Sequence, residues 1–214
     1  DYKVFSLVRF SSIYNRVADE QIIYFKNKII DFNKSNKIDF IVHCAGNAHE
    51  ENYSKYDLKD EKNFTISLLN YGKRNKITKF IYISSIKVNG NFTNKKAFKE
   101  DDNLNPIGLY AQNKLDIENI IKKFFINNSF NYYILRIPLV VGLGAKGNLL
   151  KKYNFINKYK FFINTNIKNK KKIISINNLN NLINKIFLNS LFIQDVFLVC
   201  NDEHISLEDI LKLL

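Results

Sequence analysis

The segment Lys79–Ser85 reads KFIYISS, an apolar run that ends in two serines. A continuous apolar run rich in Ile, Phe and Tyr is typical of a strand buried on both faces of a parallel sheet. Similar runs occur at 39–44 (DFIVHC), 132–137 (YYILRI) and 195–200 (DVFLVC). The sequence therefore predicts several buried parallel strands, with Ser84 and Ser85 at the end of one of them.

Amphipathic stretches separate these runs and predict helices at 57–75, 109–127 and 179–187, with a brief helix at 28–36. Two further strands are predicted at 2–8 and 21–25. Because strands and helices alternate, we expect an α/β fold, a doubly wound parallel sheet of the Rossmann type with helices on both faces.

The regular alternation of apolar strands and amphipathic helices ends at Pro138, where a glycine-containing loop begins. We expect residues 1–137 to form the Rossmann core. Residues 138–214 are expected to form a small, mixed C-terminal region that binds substrate and returns one helix and one strand to the core. Within that region, 151–172 reads as basic and irregular, and Ser206 reads as the N-cap of a last helix.

Composition narrows the function classes. The chain has 214 residues and a net charge of +13, but its lysines are scattered among asparagines, so we expect no nucleic-acid partner. No apolar run approaches the ~20 residues that a bilayer span needs. Cys44 and Cys200 are far apart and have no histidines at metal-site spacing, which predicts no disulfide, no metal site and a cytoplasmic setting.

One constellation points to chemistry. Tyr110 and Lys114 are four residues apart in the predicted helix 109–127 and share one face of it. A nearby ammonium favours the charged form of a phenol, whose pKa is ordinarily about 10. With a hydroxyl from Ser85 at the neighbouring strand end, these groups would form a Ser-Tyr-Lys triad that takes a proton from an alcohol. The ligand would lie at the carboxyl ends of the strands.

The sequence resembles the extended short-chain dehydrogenases/reductases, in the NAD-dependent epimerase/dehydratase branch that acts on nucleotide sugars. The resemblance runs over essentially the whole chain. It is carried by Asp39–Gly46 (DFIVHCAG), Phe80–Gly90 (FIYISSIKVNG), the Tyr110-x-x-x-Lys114 motif, Arg136–Gly142 (RIPLVVG) and Gly147–Leu149 (GNL). The sequence of Phe80–Gly90 resembles that of a subgroup of surface-polysaccharide enzymes.

The resemblance implies a nucleotide-sugar 4-epimerase of the UDP-N-acetylhexosamine type, with tightly bound NAD and a transient 4-keto sugar. Tyr110 would be the base, Lys114 would bind the nicotinamide ribose and lower the pKa of the tyrosine, and Ser85 would orient the sugar hydroxyl. Family members are often dimers, which implies a homodimer through the helices predicted at 57–75 and 109–127.

The resemblance also implies which residues contact the ligands. Cofactor contacts would come from Arg9, Ala45, Gly46, Ser84, Tyr110, Lys114 and Pro138, and substrate contacts from Lys87, Asn148 and Lys171. Because Arg9 replaces the acidic residue that many relatives place near the adenosine ribose, NADP stays open beside NAD. Lys171 stands where relatives usually have an arginine that binds the diphosphate. A lysine keeps the positive charge but lacks the paired donors of a guanidinium.

Two departures from the family pattern stand out. The glycine-rich turn that seats a pyrophosphate is absent, so we expect it and the first strand to precede Asp1. The chain contains no Met and stops at Leu214 within a predicted helix, which predicts a sequence cut at both ends. Glu61 stands where the family has an asparagine, and Asn63 is out of register.

Three alternatives stay open. A 4-keto-sugar reductase would consume NADPH. A dehydratase needs carboxylates after Ser85, where this chain has Ile86 and Lys87. A non-catalytic remnant would keep the triad residues only for packing.

Overall fold

The computed structural model describes residues 5–9, 21–25, 38–46, 55–93, 96–126, 128, 130–142, 170–188, 193–202 and 204–206. Its strands are β1 (Phe5–Arg9), β2 (Gln21–Phe25), β3 (Phe40–His43), β4 (Lys79–Ser85), β5 (Asn131–Ile137), β6 (Leu139–Val141), β7 (Lys170–Ser175), β8 (Gln194–Leu198) and β9 (His204–Ser206). Its helices are α1 (Lys55–Arg74), α2 (Leu109–Phe125) and α3 (Ile176–Leu188), and a short 3-10 helix spans Ile86–Val88.

Four parallel strands form the main sheet, in the order β3-β4-β5-β8. The predicted parallel sheet is confirmed, and so are strands at all four apolar runs. β1 and β2 form a separate parallel pair, and β6, β7 and β9 form a small third sheet.

Alternation along the strands divides the core into two layers. Phe80 and Tyr82 of β4 pack with apolar residues of α1 and α2, whereas Ile81 of the same strand packs in a second cluster with Leu179 and Ile186 of α3. Helices therefore cover both faces of the sheet, as the doubly wound fold requires. The boundary at residue 137 between core and substrate region stays a prediction.

One part of the sequence interpretation was wrong. Residues 151–172 were expected to be irregular, but Lys170–Lys172 begin β7, which pairs in parallel with β6 and antiparallel with β9. Lys172 donates hydrogen bonds to the backbone carbonyls of Asn201 and Asp202, so this ammonium ties β7 to the segment that follows β8. The helices expected at 28–36 and after Ser206 lie outside the described residues.

A lysine links the start of β4 to the end of α3. Lys79 is buried, and its Nζ donates to the carbonyl oxygens of Ile186 at 2.8 Å and Phe187 at 2.7 Å. These are last-turn carbonyls with no partner inside their own helix, and a cation is favourable at that end of the helix dipole. Lys79 therefore joins the strand that carries Ser85 to the helix on the opposite face.

A buried ion pair joins α2 to the sheet. Glu118 is fully buried and accepts hydrogen bonds from Ser84 Oγ at 2.6 Å and from Arg136 Nη2 at 2.8 Å. The second terminal nitrogen of Arg136 donates to Asn89 Oδ1 at 3.1 Å, and Asn89 Nδ2 donates to the carbonyl of Lys99 at 3.2 Å. The network thus ties β4, α2, β5 and the segment after β4 together.

The buried pair makes a testable contribution to stability. We expect Arg136→Met to lower the free energy of unfolding by about 3–5 kcal/mol, because it leaves the Glu118 carboxylate buried without its cation. Lys62→Met is the matched control, since Lys62 pairs with Asp116 at 2.6 Å with both side chains about one third exposed. The control should cost about 0–1 kcal/mol. Chemical denaturation measures both, and equal losses would contradict the role assigned to the buried pair.

Candidate active site

The predicted catalytic residues lie at the carboxyl end of β4 and in the first turns of α2. Gly108, with φ of 87°, directs the chain into α2, so that Tyr110 falls in the first turn and Lys114 one turn later. Lys114 Nζ lies 5.8 Å from the centroid of the Tyr110 ring. It also donates a 3.1 Å hydrogen bond to the carbonyl of Ile83, two residues before Ser85. The tyrosine and lysine are thereby held against the end of the strand.

Ser85 lies at the junction of β4 and the 3-10 helix. Its Oγ accepts a hydrogen bond from the backbone nitrogen of Lys87 at 3.3 Å. A hydroxyl that accepts one bond still has its own proton to donate, so Ser85 can bind an oxygen of a ligand. The same turn brings Lys87 Nζ to 6.0 Å from the Tyr110 ring centroid. The tyrosine therefore has two ammonium groups within 6.0 Å of its ring centroid.

Lys114 is a buried cation with several titratable neighbours. Only 5% of its surface is exposed, and burial lowers the pKa of its ammonium. Glu61, Cys44 in its thiolate form, and Glu118, in that order, act in the opposite direction and raise this pKa. Burial is the largest of these effects, so the pKa of Lys114 lies below its ordinary value.

The end of β3 supplies bare backbone beside the lysine. Gly46 has φ of +154°, a conformation that side chains rarely adopt. A Cβ at this position would lie 3.4 Å from Lys114 Nζ and 3.5 Å from Glu61 Oε2. Glycine therefore leaves space directly over both charged groups, and the exposed residues Ala45 and Gly46 border that space.

The structure describes the other predicted ligand contacts to different extents. Ser84 is buried and its hydroxyl is bonded to Glu118, so a ligand contact at Ser84 would use its backbone. Pro138 is half-buried between β5 and β6. Arg9 and Lys171 are described only as backbone positions in β1 and β7, and Asn148 lies outside the described residues.

Sequence reasoning missed the supporting residues. Glu118 lies one turn beyond Lys114, so Tyr110, Lys114 and Glu118 follow one face of α2. The only sequence signal for its partner was a charged residue, Arg136, inside the apolar strand NYYILRI. Asn113 was also missed: its Nδ2 donates to Glu61 Oε2 at 2.7 Å and so joins α2 to α1.

His43 is a packed core residue, as predicted, with 3% of its surface exposed. Thr65 Oγ1 donates to the carbonyl of Glu61 at 2.8 Å, so its contact with His43 Nε2 at 2.9 Å requires the histidine to donate. The proton is therefore on Nε2, and the buried Nδ1 has no hydrogen-bond partner. Burial, followed by the charge of Lys114, lowers the pKa of His43 to about 3.

Comparison with known proteins gives the family. The model of the NAD dependent epimerase/dehydratase family matches residues 2–183. A UDP-glucose 4-epimerase from Vibrio cholerae is 30% identical over 179 residues, which cover 80% of this chain and 55% of that protein. A dTDP-D-glucose 4,6-dehydratase from Dictyostelium discoideum is 26% identical over 138 residues, 56% of this chain and 32% of that protein.

A solved structure supports the fold. The UDP-N-acetylglucosamine 4-epimerase from Methanobrevibacter ruminantium superposes with a TM-score of 0.78 at 20% identity, covering 98% of this chain and 72% of that one. Fold and strand-end site thus define an α/β protein of the Rossmann type. The family match covers most of the sequence, and the chain belongs to the NAD-dependent epimerase/dehydratase family, as the resemblance implied.

Two further facts bound this conclusion. The chain spans about half the length of the Vibrio cholerae relative, 55%. Among the helices that the structure describes, none combines the length and the apolar character that crossing a bilayer requires.

The low pKa of His43 gives a pH prediction. An unfolded histidine, with its ordinary pKa of 6.5, binds a proton below about that pH, whereas the folded one stays neutral until about pH 3. Stability due to His43 is therefore complete above pH 6.5 and is lost as the pH falls toward 3, by at most about 1.4 kcal/mol per pH unit.

We expect His43→Phe to remove this contribution. Unfolding free energies measured at about pH 7 and about pH 5 should differ less in the variant than in the wild type. Phenylalanine fits the surrounding rings of Phe64, Phe80 and Tyr82 and does not titrate. Only the difference between the two pH values is compared, so a general loss of stability does not interfere. Equal pH dependence in both proteins would show that His43 binds its proton as readily in the folded state as in the unfolded one, which would contradict the lowered pKa.

Proposed function

We propose that this chain carries the catalytic residues of a nucleotide-sugar 4-epimerase that acts on a UDP-N-acetylhexosamine in surface-polysaccharide synthesis. The observation that carries the proposal is the convergence of Ser85, Tyr110 and Lys114 at the carboxyl end of β4, where doubly wound sheets bind their ligands. The 4-epimerase named among the relatives supports the reaction type.

The space over Lys114 fits the nicotinamide ribose of NAD. Gly46 has no side chain there, and the Lys114 ammonium and the Glu61 carboxylate border the same point, so both a donor and an acceptor face the space. Hydroxyl pairs of a ribose need such groups. Ala45, Gly46 and the backbone of Ser84 would line the cofactor, with Pro138 at its edge and Arg9 near the adenosine end, where NADP stays open. When bound, the nicotinamide accepts and returns a hydride.

Each triad residue has a separate task. Tyr110, as phenolate, takes the proton of the sugar 4-hydroxyl. The ammonium groups of Lys114 and Lys87 stabilise that phenolate, since a nearby positive charge favours the charged form of a phenol. Ser85 donates its proton to the same sugar oxygen and fixes its position. Loss of the proton favours the 4-keto sugar, and return of the proton from Tyr110 completes either epimer.

The remainder of the substrate would contact the region 138–214. Lys87 would bind the sugar, and Asn148 and Lys171 would bind the diphosphate. We further propose a homodimer through α1 and α2 and a cytoplasmic setting. These proposals concern the whole protein. The Vibrio cholerae relative is longer than this chain, and the match covers 55% of it.

The alternatives predict different products. A 4-keto-sugar reductase is supported by the same triad and would oxidise NADPH in proportion to product. A dehydratase is less favoured, since no carboxylate directly follows Ser85. A remnant that keeps the triad for packing would show no turnover with any of these substrates.

The first test is a product assay. The protein, with NAD, is incubated with UDP-N-acetylglucosamine, and the 4-epimer is followed by proton NMR while absorbance monitors reduced nicotinamide. We expect the epimer without net formation of reduced cofactor. Tyr110→Phe should lower turnover by about 10²–10⁴-fold, because the base is removed. Tyr71→Phe, on α1, is the matched control and should keep wild-type turnover.

Two outcomes would contradict the proposal. Net oxidation of NADPH with a 4-keto sugar, without epimer, would support the reductase. A folded protein that binds NAD and yields no epimer from UDP-N-acetylglucosamine would support the remnant.

A further inference from the structure

Glu61 is a buried carboxylate beside the proposed active site, and the proposed proton transfer gives it no part. It lies on α1 with 4% of its surface exposed. Asn113 Nδ2, from the residue next to Lys114, donates a 2.7 Å hydrogen bond to Glu61 Oε2. Both oxygens of Glu61 and the Nζ of Lys114 lie within 3.6 Å of the point that a Cβ on Gly46 would occupy. A carboxylate and an ammonium, each on a buried residue, therefore face the same space, which the exposed residue Gly46 borders.

Burial of an ammonium is unfavourable unless a negative charge compensates it. The described titratable or aromatic polar groups that face Lys114 are His43 and Cys44 from β3 and its end, Glu61 from α1, Tyr82 from β4, and Tyr110 and Glu118 from α2.

These groups do not supply negative charge equally. His43 is neutral, because burial lowers its pKa to about 3. Burial raises the pKa of the Cys44 thiol, so at neutral pH it is uncharged. Glu118 is engaged by the guanidinium of Arg136. Of the described side chains around Lys114, Glu61 is therefore the one placed to act as its counter-ion.

We propose that Glu61 is a positioning residue that keeps Lys114 protonated, and so keeps the cation beside Tyr110 in place up to alkaline pH. The inference rests on the proposed function for its effect on turnover. Its effect on the lysine itself does not depend on any activity.

The sign of the effect is fixed by the charges. The carboxylate stabilises the ammonium, so replacing Glu61 by Gln removes a negative charge and lowers the pKa of Lys114. An opposite charge within about 4–6 Å shifts a pKa by about one unit or more. The lysine would then lose its proton at a lower pH, and with it the charge that stabilises the tyrosine phenolate. The alkaline limb of the activity profile would move to lower pH by the same amount.

The test follows Lys114 directly. Nitrogen-15 NMR of the lysine side chains gives the titration of each ammonium, and the Lys114 signal is the one that disappears in Lys114→Met. We expect Glu61→Gln to lower the Lys114 pKa by about one unit or more, and Glu61→Asp to restore most of the wild-type value. Asp60→Asn is the matched control, since Asp60 is exposed on the same helix, and should leave the Lys114 titration unchanged.

A double-mutant cycle covers the case in which Glu61→Gln folds poorly. If the carboxylate compensates the ammonium, Glu61→Gln destabilises the wild type more than it destabilises Lys114→Met. Equal losses in the two backgrounds, or an unchanged Lys114 titration in Glu61→Gln, would overturn the inference.

The activity profile separates this inference from the proposed function. A shifted alkaline limb in Glu61→Gln supports both. If the wild type shows no epimerase activity but its Lys114 titration still depends on Glu61, the proposed function is refuted. The role of Glu61 as counter-ion of Lys114 then still holds.

Discussion

The buried ion pair between Glu118 and Arg136 is the contact on which the geometry of the site depends. Neither charge can be moved into the core alone, so the helix that carries Glu118 and the strand that carries Arg136 must adopt one relative position. Lys114 and Tyr110 lie on the same face of that helix, one and two turns earlier respectively. Because Glu118 also accepts the hydroxyl proton of Ser84 on β4, these contacts fix the position of α2 relative to the strand that ends in Ser85.

The fold was predictable where the signal was local. The apolar run Lys79–Ser85 and the helical periodicity of 109–127 are patterns within short, continuous segments. Both elements formed as expected. β6 and β7 were missed for physical reasons. Leu139–Val141 is too short to show a period, and β7 begins with three lysines that carry no apolar pattern. Their strand character comes from pairing with each other, which no local pattern contains.

The candidate site divides in the same way. Tyr110 and Lys114 could be predicted together because residues four apart on a helix must be neighbours. The contact of Asn113 with Glu61 joins residues 52 positions apart, and that of Arg136 with Asn89 joins residues 47 apart. Such contacts arise only when the helices and strands have packed. The proximity of Tyr110 and Lys114 was therefore predictable from the sequence, whereas the hydrogen bonds and ion pairs around them were visible only in the structure.

The Lys79 ammonium has a consequence for how the chain is made. Its acceptors, the carbonyls of Ile186 and Phe187, are synthesised more than a hundred residues after it, at separations of 107 and 108 positions. On the ribosome, β4 can pair with its neighbours long before α3 exists, and during that time one end of the central strand carries a charge that burial would penalise. Such long-range closure delays folding. The strand that ends in Ser85 therefore gains these contacts only when α3 has emerged, which couples the completion of the core to the synthesis of residues more than a hundred positions downstream.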